Sequence, residues 1–124
     1  MKLHLNNTVG LNAITGHGDG SVSVNNQPIY HAVIVTPDKI IDPWQIADLS
    51  ASSLSLIDFA HLLDLKPELV IFGSGKIFRF PDSRIMAAFA QARIGFEVMD
   101  TAAACRTYNV LAGEGRNVAA ALLV

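Results

Sequence analysis

Charged residues are scarce in this chain, at 16% of 124 positions against 51% apolar. A sequence that apolar can bury enough surface to fold, which excludes intrinsic disorder. Its nine Lys and Arg are dispersed without a basic run, and the net charge is −2. Nucleic-acid binders concentrate positive charge on one face, so no nucleic-acid partner is expected. The lone Cys105 cannot close an internal disulfide, which excludes a cystine scaffold and fits a reducing compartment. No unbroken apolar stretch approaches about 18 residues, so no membrane span is expected. The opening Met1-Lys2-Leu3-His4-Leu5-Asn6-Asn7 turns polar before a secretory core could form and has no Arg for a mitochondrial presequence. The expected address is the cytoplasm. His4, His17, His31 and His61 fall on separate segments without ligand spacing. A metal needs at least three converging ligands, so neither metal nor cofactor is expected. Asp58 and Asp64 read as solvated charge on or near an exposed helix face.

What is present is a change of period along the chain. Val9 to Ile14 alternates and runs into Gly16-His17-Gly18-Asp19-Gly20, a cluster able to supply the positive φ of a tight turn. Ser21 to Val24 alternates again, Asn25-Asn26-Gln27-Pro28 turns, and Ile29 to Val35 is β-branched. Thr36-Pro37-Asp38-Lys39 turns once more before Ile40-Ile41, which completes a meander of three or four antiparallel strands. Helical spacing then begins. Ser55 caps a segment with Leu56, Ile57, Phe59, Ala60, Leu62 and Leu63 on its apolar positions, Asp58 is its capping-box acid, and Lys66-Pro67 ends it. Leu69 to Phe72 is a short apolar run suited to a strand covered on both faces. A helix over Arg84 to Arg93 is broken by Gly95, and Phe96 to Met99 is the next strand. A further helix runs from Asp100-Thr101 to Leu111-Ala112, and Val118 to Val124 is a final strand. The order is a β-meander followed by α-β-α-β-α-β. This predicts one α/β domain over residues 1–124, with strands 69–72 and 96–99 parallel because a helix-length crossover joins them.

Parallel neighbours would open their carboxyl ends on one sheet edge, where ligands of open α/β sheets bind. That edge would hold Gly73, Ser74, Gly75 and Lys76 after one strand and Asp100 and Thr101 after the other. Glycine-freed backbone N–H groups, a helix start, Lys76 and Arg79 together could hold a small anion or carboxylate. Turn and cap chemistry explains the same residues without any ligand. The nucleotide-loop pattern G-x-x-x-x-G-K-[ST] is absent, and Ile77-Phe78-Arg79-Phe80-Pro81 follows the lysine where a helix would have to start. Cys105 shares a helix face with Thr101 and Asn109 and lies beside Arg106, but no histidine is near it in sequence. A core cysteine is the better reading. Asp100 could pair with Arg79 or Arg106, and Arg116 is a third cation set in an apolar stretch. Trp44 reads as a core or seam aromatic, or as part of a partner surface if half exposed.

Phe96 to Thr101, then Ala104-Cys105-Arg106-Thr107-Tyr108-Asn109-Val110-Leu111, then Glu114-Gly115-Arg116, carry a resemblance. So do Leu65-Lys66-Pro67-Glu68-Leu69, Gly73-Ser74-Gly75 and Arg79-Phe80-Pro81 earlier in the chain. The chain resembles the family of largely unassigned function that includes mitochondrial respiratory complex I assembly factor 3 and the adipogenesis-associated Mth-domain proteins, and it looks like a bacterial relative. The resemblance implies a three-layer α/β fold with a mixed central sheet and extra β structure. It brings no established enzymatic activity to carry over to this chain. It implies a binding or assembly role, with protein subunits of a respiratory complex as partners. The rival reading is a small-molecule or anion-binding enzyme using Gly73, Ser74, Gly75, Lys76, Arg79, Asp100, Thr101, Cys105, Arg106 and Asn109. The apolar content is also compatible with a homodimer.

Overall fold

The computed structural model describes residues 10–46 and 50–124. The opening residues, including the polar start read for targeting, His4 and the Val9 end of the first strand, lie outside that range.

The chain begins with a three-stranded antiparallel meander of β1 (Ile14–Gly18), β2 (Ser21–Val24) and β3 (Gln27–Ile29). Asn25 and Asn26 both sit at positive φ, 52° and 69°. That two-residue pattern matches the twist of a β-hairpin, and asparagine tolerates it. Val22, Val24 and Ile29 point inward while Ser21 and Ser23 stay partly open, the alternation of a sheet buried on one face.

The Ile29 to Val35 run is not one strand. β3 ends at Ile29, and β4 (Val33–Val35) belongs to a second, five-stranded sheet. β-Branched residues favour extended backbone in either sheet, so composition could not show where the chain changes sheets. The turn at Thr36 to Lys39 forms as expected: the Thr36 N–H donates to the Lys39 carbonyl at 2.9 Å, and the Lys39 N–H donates to Thr36 Oγ1 at 2.9 Å. It returns the chain as β5 (Ile40–Ile41), antiparallel to β4.

The predicted helix after Ser55 starts as a 3₁₀ segment, Leu56–Phe59, and becomes α1 (Ala60–Leu65). Its capping box is present, with the Ser55 N–H donating to Asp58 Oδ2 at 2.8 Å. Lys66, before the proline, ends the helix at φ 50°.

β6 (Leu69–Gly73), α2 (Ser83–Gln91), β7 (Gly95–Met99), α3 (Thr101–Gly113) and β8 (Val118–Leu122) complete the chain. Gly95 does not break α2; it opens β7, and Arg93 makes the reversal at φ 61°. A side-chain carbon at Gly95 would meet only the movable end of Leu69 at 2.8 Å and the Glu68 carbonyl oxygen at 3.5 Å.

The large sheet has the order β5-β4-β8-β6-β7. β6 is parallel to both β7 and β8, whereas β4 is antiparallel to β8 and β5. The sheet is mixed, as the resemblance implied. Alternation along its strands feeds two cores. Ile34, Val70, Phe72, Ala119 and Ala121 face a cluster with Trp44, Phe59, Leu62, Ile85 and Phe89. Val33, Val35, Ile71, Ala120 and Leu122 face the meander and α3, through Val22, Cys105 and Tyr108. The 3₁₀ segment, α1 and α2 cover one face, while α3 and the meander cover the other. Those are the three layers. Trp44 belongs to the first core: its indole N–H donates to the Asp58 carbonyl at 2.8 Å and its ring meets Phe59 edge-on at 5.3 Å. It offers no partner surface.

Candidate functional site

From β6 the chain passes through α2 on one face to β7 on one side, then through α3 on the opposite face to β8 on the other side. The carboxyl end of β6 is therefore a topological switch point, where open α/β sheets place ligand crevices. Gly73, Ser74 and Gly75 leave β6 there, and Asp100 and Thr101 start α3 beside them. The expected neighbourhood forms. The Ser74 N–H donates to the Met99 carbonyl at 2.9 Å and the Thr101 N–H to the Gly75 carbonyl at 2.9 Å.

The polar side chains at this junction are already engaged. Thr101, buried, accepts from the Gly75 N–H at 2.9 Å and donates to the Leu123 carbonyl at 2.5 Å. It thus ties three strand ends together. Gly73 lets the helix approach: a side-chain carbon there would lie 2.9 Å from Thr101 Oγ1 and 3.1 Å from Thr101 Cα. Gly75 takes φ 100°, a conformation that costs glycine little. Asp100 caps α3 by accepting from the Ala103 N–H at 2.8 Å. The expected pairing of Asp100 with Arg79 or Arg106 does not form among the described residues; the carboxylate serves the cap, and Arg116 pairs with Glu68 at 3.2 Å. Ser74, also buried, donates to the Ile77 carbonyl at 2.8 Å and accepts from the Arg79 N–H at 3.0 Å, so its hydroxyl shapes the following loop.

The other candidates separate. Cys105 is buried against the sheet, and burial pushes its thiol up to about 11 while Arg106 only partly offsets this. A thiol protonated to that degree is a poor nucleophile at neutral pH. Arg106 is exposed on α3. Asn109 faces the meander, where its side-chain amide bonds the backbone of Ile14 in both directions, at 2.9 and 2.6 Å. Lys76 and Arg79 are exposed. Lys76 Nζ lies 3.5 Å from Asp19 Oδ1 at the tip of the β1–β2 hairpin.

Two hollows flank this closed junction. One, of about 410 Å³, lies between the hairpin tip and the start of α3, bordered by His17, Asp19, Gly75, Asp100 and Ala102. The other, of about 370 Å³, lies beside Ser74, Ile77, Arg79 and Ala51. Sequence reasoning missed the hairpin tip, because nothing local brings residues 17–21 to the end of β6. It also passed over Ile77, Phe78 and Phe80 as a mere non-helix, although a cluster of bulky apolar residues outside any periodic element was the available signal. Among the described residues there is no cluster of His, Cys, Asp or Glu able to hold a metal, and no helix is long and apolar enough to cross a membrane.

The fold and sequence have clear relatives. NADH dehydrogenase [ubiquinone] 1 alpha subcomplex assembly factor 3 of Xenopus tropicalis is 30% identical over 100 residues, covering 81% of this chain and 54% of that protein. The chain therefore spans about half the length of that relative. The 13 kDa major membrane protein of Francisella tularensis is 28% identical over 94 residues, 75% of each chain. Among solved structures, a Xanthomonas campestris protein superposes with a TM-score of 0.82 at 35% identity, covering 91% of this chain and 84% of that one. A Mth938-like domain from Bordetella pertussis does so with 0.78 at 25% identity, covering 93% and 87%. The family model for the protein of unknown function DUF498/DUF598 matches residues 14–123, and the chain belongs to that family.

Proposed function

We propose that the chain is a non-enzymatic binding or assembly protein acting on subunits of a respiratory NADH dehydrogenase, from the cytoplasmic side of the membrane. The relatives named as complex I assembly factors, at about 30% identity, support the partner. The observation that carries the non-enzymatic part is the state of the switch point. Ser74, Asp100 and Thr101 spend their side chains on backbone groups, and Cys105 is packed in the core. The test is affinity capture of the tagged chain from detergent-solubilised membranes of its own host, with subunits quantified by mass spectrometry. NADH dehydrogenase subunits should be enriched over an unrelated tagged control. Equal recovery in both would overturn the reading.

The hollow of about 410 Å³ gives room for a second reading, a small carboxylate or phosphate bound beside Gly75, Lys76 and Ala102, which Asp19 and Asp100 on the same rim oppose. Titration with inorganic phosphate or acetate should then move the amide resonances of Gly75 and Ala102 saturably. Shifts that grow linearly with salt would dismiss it.

A further inference from the structure

The loop between β6 and α2 holds three large apolar side chains out in solvent: Ile77 is 59% exposed, Phe78 50% and Phe80 60%. The rings of Phe78 and Phe80 meet each other edge-on at 4.9 Å, and neither joins the aromatic cluster around Phe59. The loop is tied to the sheet end. The buried Ser74 hydroxyl grips the Ile77 carbonyl and the Arg79 N–H at once, which fixes the turn that presents the three side chains.

The loop itself carries two cations and, over residues 76–80, no carboxylate. Lys76 and Arg79 interleave with the apolar residues. Three carboxylates lie near: Asp19, Asp82 and Asp100, the last sharing a hollow with Lys76 and accepting from the Ala103 N–H. Asp19 approaches Lys76 at 3.5 Å with both groups more than four-fifths exposed, a contact that solvent and salt weaken. Asp82 is held by the Arg84 guanidinium at 2.7 and 3.2 Å, so its charge is balanced in place. Arg79 has no carboxylate partner among the described residues.

We propose that this loop is a membrane-docking element: Ile77, Phe78 and Phe80 enter the interface of a bilayer rich in anionic lipid, while Lys76 and Arg79 lie at the level of the lipid phosphates. The proposal goes beyond the assembly reading and does not depend on it. Three features favour lipid. Aromatic side chains suit the bilayer interface. Two backbone groups of the tip are already satisfied through Ser74, which lowers the cost of taking that backbone out of water. The cations flanking the apolar side chains can extend their stems along them and place charge against headgroups. Three side chains give reversible attachment, comparable with one acyl chain, and not permanent insertion.

Co-sedimentation with vesicles tests this. The probes are phosphatidylcholine alone and phosphatidylcholine with roughly one third phosphatidylglycerol, as a neutral and an anionic surface. Wild-type protein should pellet with the anionic vesicles, less so at high salt. Replacing Phe78→Ser and Phe80→Ser together should lower binding on the order of tenfold, with circular dichroism unchanged because both rings lie outside the core. Ile77→Ser is an independent check, and Lys76→Gln with Arg79→Gln should remove the preference for the anionic surface. A Phe78→Trp variant should show a blue-shifted emission component on vesicle addition, read against the buried Trp44 background. Absence of vesicle binding, or binding that survives the double Phe substitution, overturns the proposal. Loss of a protein partner in that double variant, with no vesicle binding by wild type, overturns it equally and leaves the assembly reading standing.

Discussion

Asn109 and Ile14, 95 positions apart, exchange two hydrogen bonds: the Ile14 N–H donates to Asn109 Oδ1 at 2.9 Å, and Asn109 Nδ2 donates to the Ile14 carbonyl at 2.6 Å. The side-chain amide mimics a neighbouring strand and fastens the meander to α3. Tyr108 adds a third bond from its buried hydroxyl to the Asn12 carbonyl at 2.8 Å. Asn109→Ala should cost about 1–3 kcal/mol, and Tyr108→Phe about 1 kcal/mol. Urea unfolding measures both, and amide exchange should accelerate at Ile14 before it does in β6.

At the switch point, Thr101 is the joint. Thr101→Val keeps the shape but strands the Leu123 carbonyl and the Gly75 N–H, so a loss of about 2–3 kcal/mol is expected, while Thr101→Ser should lose less than half of that. Gly73→Ala pushes against Thr101 Oγ1 and backbone and should cost about 1–3 kcal/mol by overpacking. Chemical denaturation of the three variants settles the comparison.

Cys105 should resist alkylation in the folded protein at pH 8 and react at once in denaturant, because burial holds its thiol near 11. The folded value lies above the ordinary 9.0. The unfolded chain therefore loses this proton first, and the thiol's contribution, complete below about pH 9, declines as pH rises toward 11. Cys105→Ala should abolish that part of the alkaline decline.

Asp82 works in the opposite direction. Hydrogen bonds from the Arg84 side chain and backbone N–H lower its carboxyl from 3.8 to about 2. A carboxylate stabilised in the folded state supports folding above the unfolded value and loses that support as pH falls through the folded one. The start of α2 should hence loosen between about pH 4 and pH 2, and Asp82→Asn should flatten that window. Amide exchange across residues 83–86 reads it directly.

Continuous apolar runs such as Leu69 to Phe72 and the helical spacing of Ile85 and Phe89 made the second half legible, since two-sided burial and helix amphipathicity both mark the sequence locally. The parallel pairing of β6 and β7 followed from connection length, and with it the meeting of Ser74 with Thr101. What was not legible depended on distant partners. The Thr101 hydroxyl is occupied by a carbonyl of Leu123, 22 residues on, and Asn109 by a strand at the far end of the chain. Helix ends at Lys66 and Arg93 adopt positive φ without glycine, so a search for glycine placed one boundary at Gly95 by mistake. The Ile29 to Val35 run concealed a change of sheet because both halves are β-branched.

The most direct test of the account is the level of assembled NADH dehydrogenase, resolved on native gels, in host cells that lack this chain and are then complemented. Wild type and Cys105→Ala should restore the complex equally, because assembly by binding needs no thiol chemistry. Undiminished enzyme in the deletion strain, or failure of a folded Cys105→Ala protein to restore it, would contradict the account.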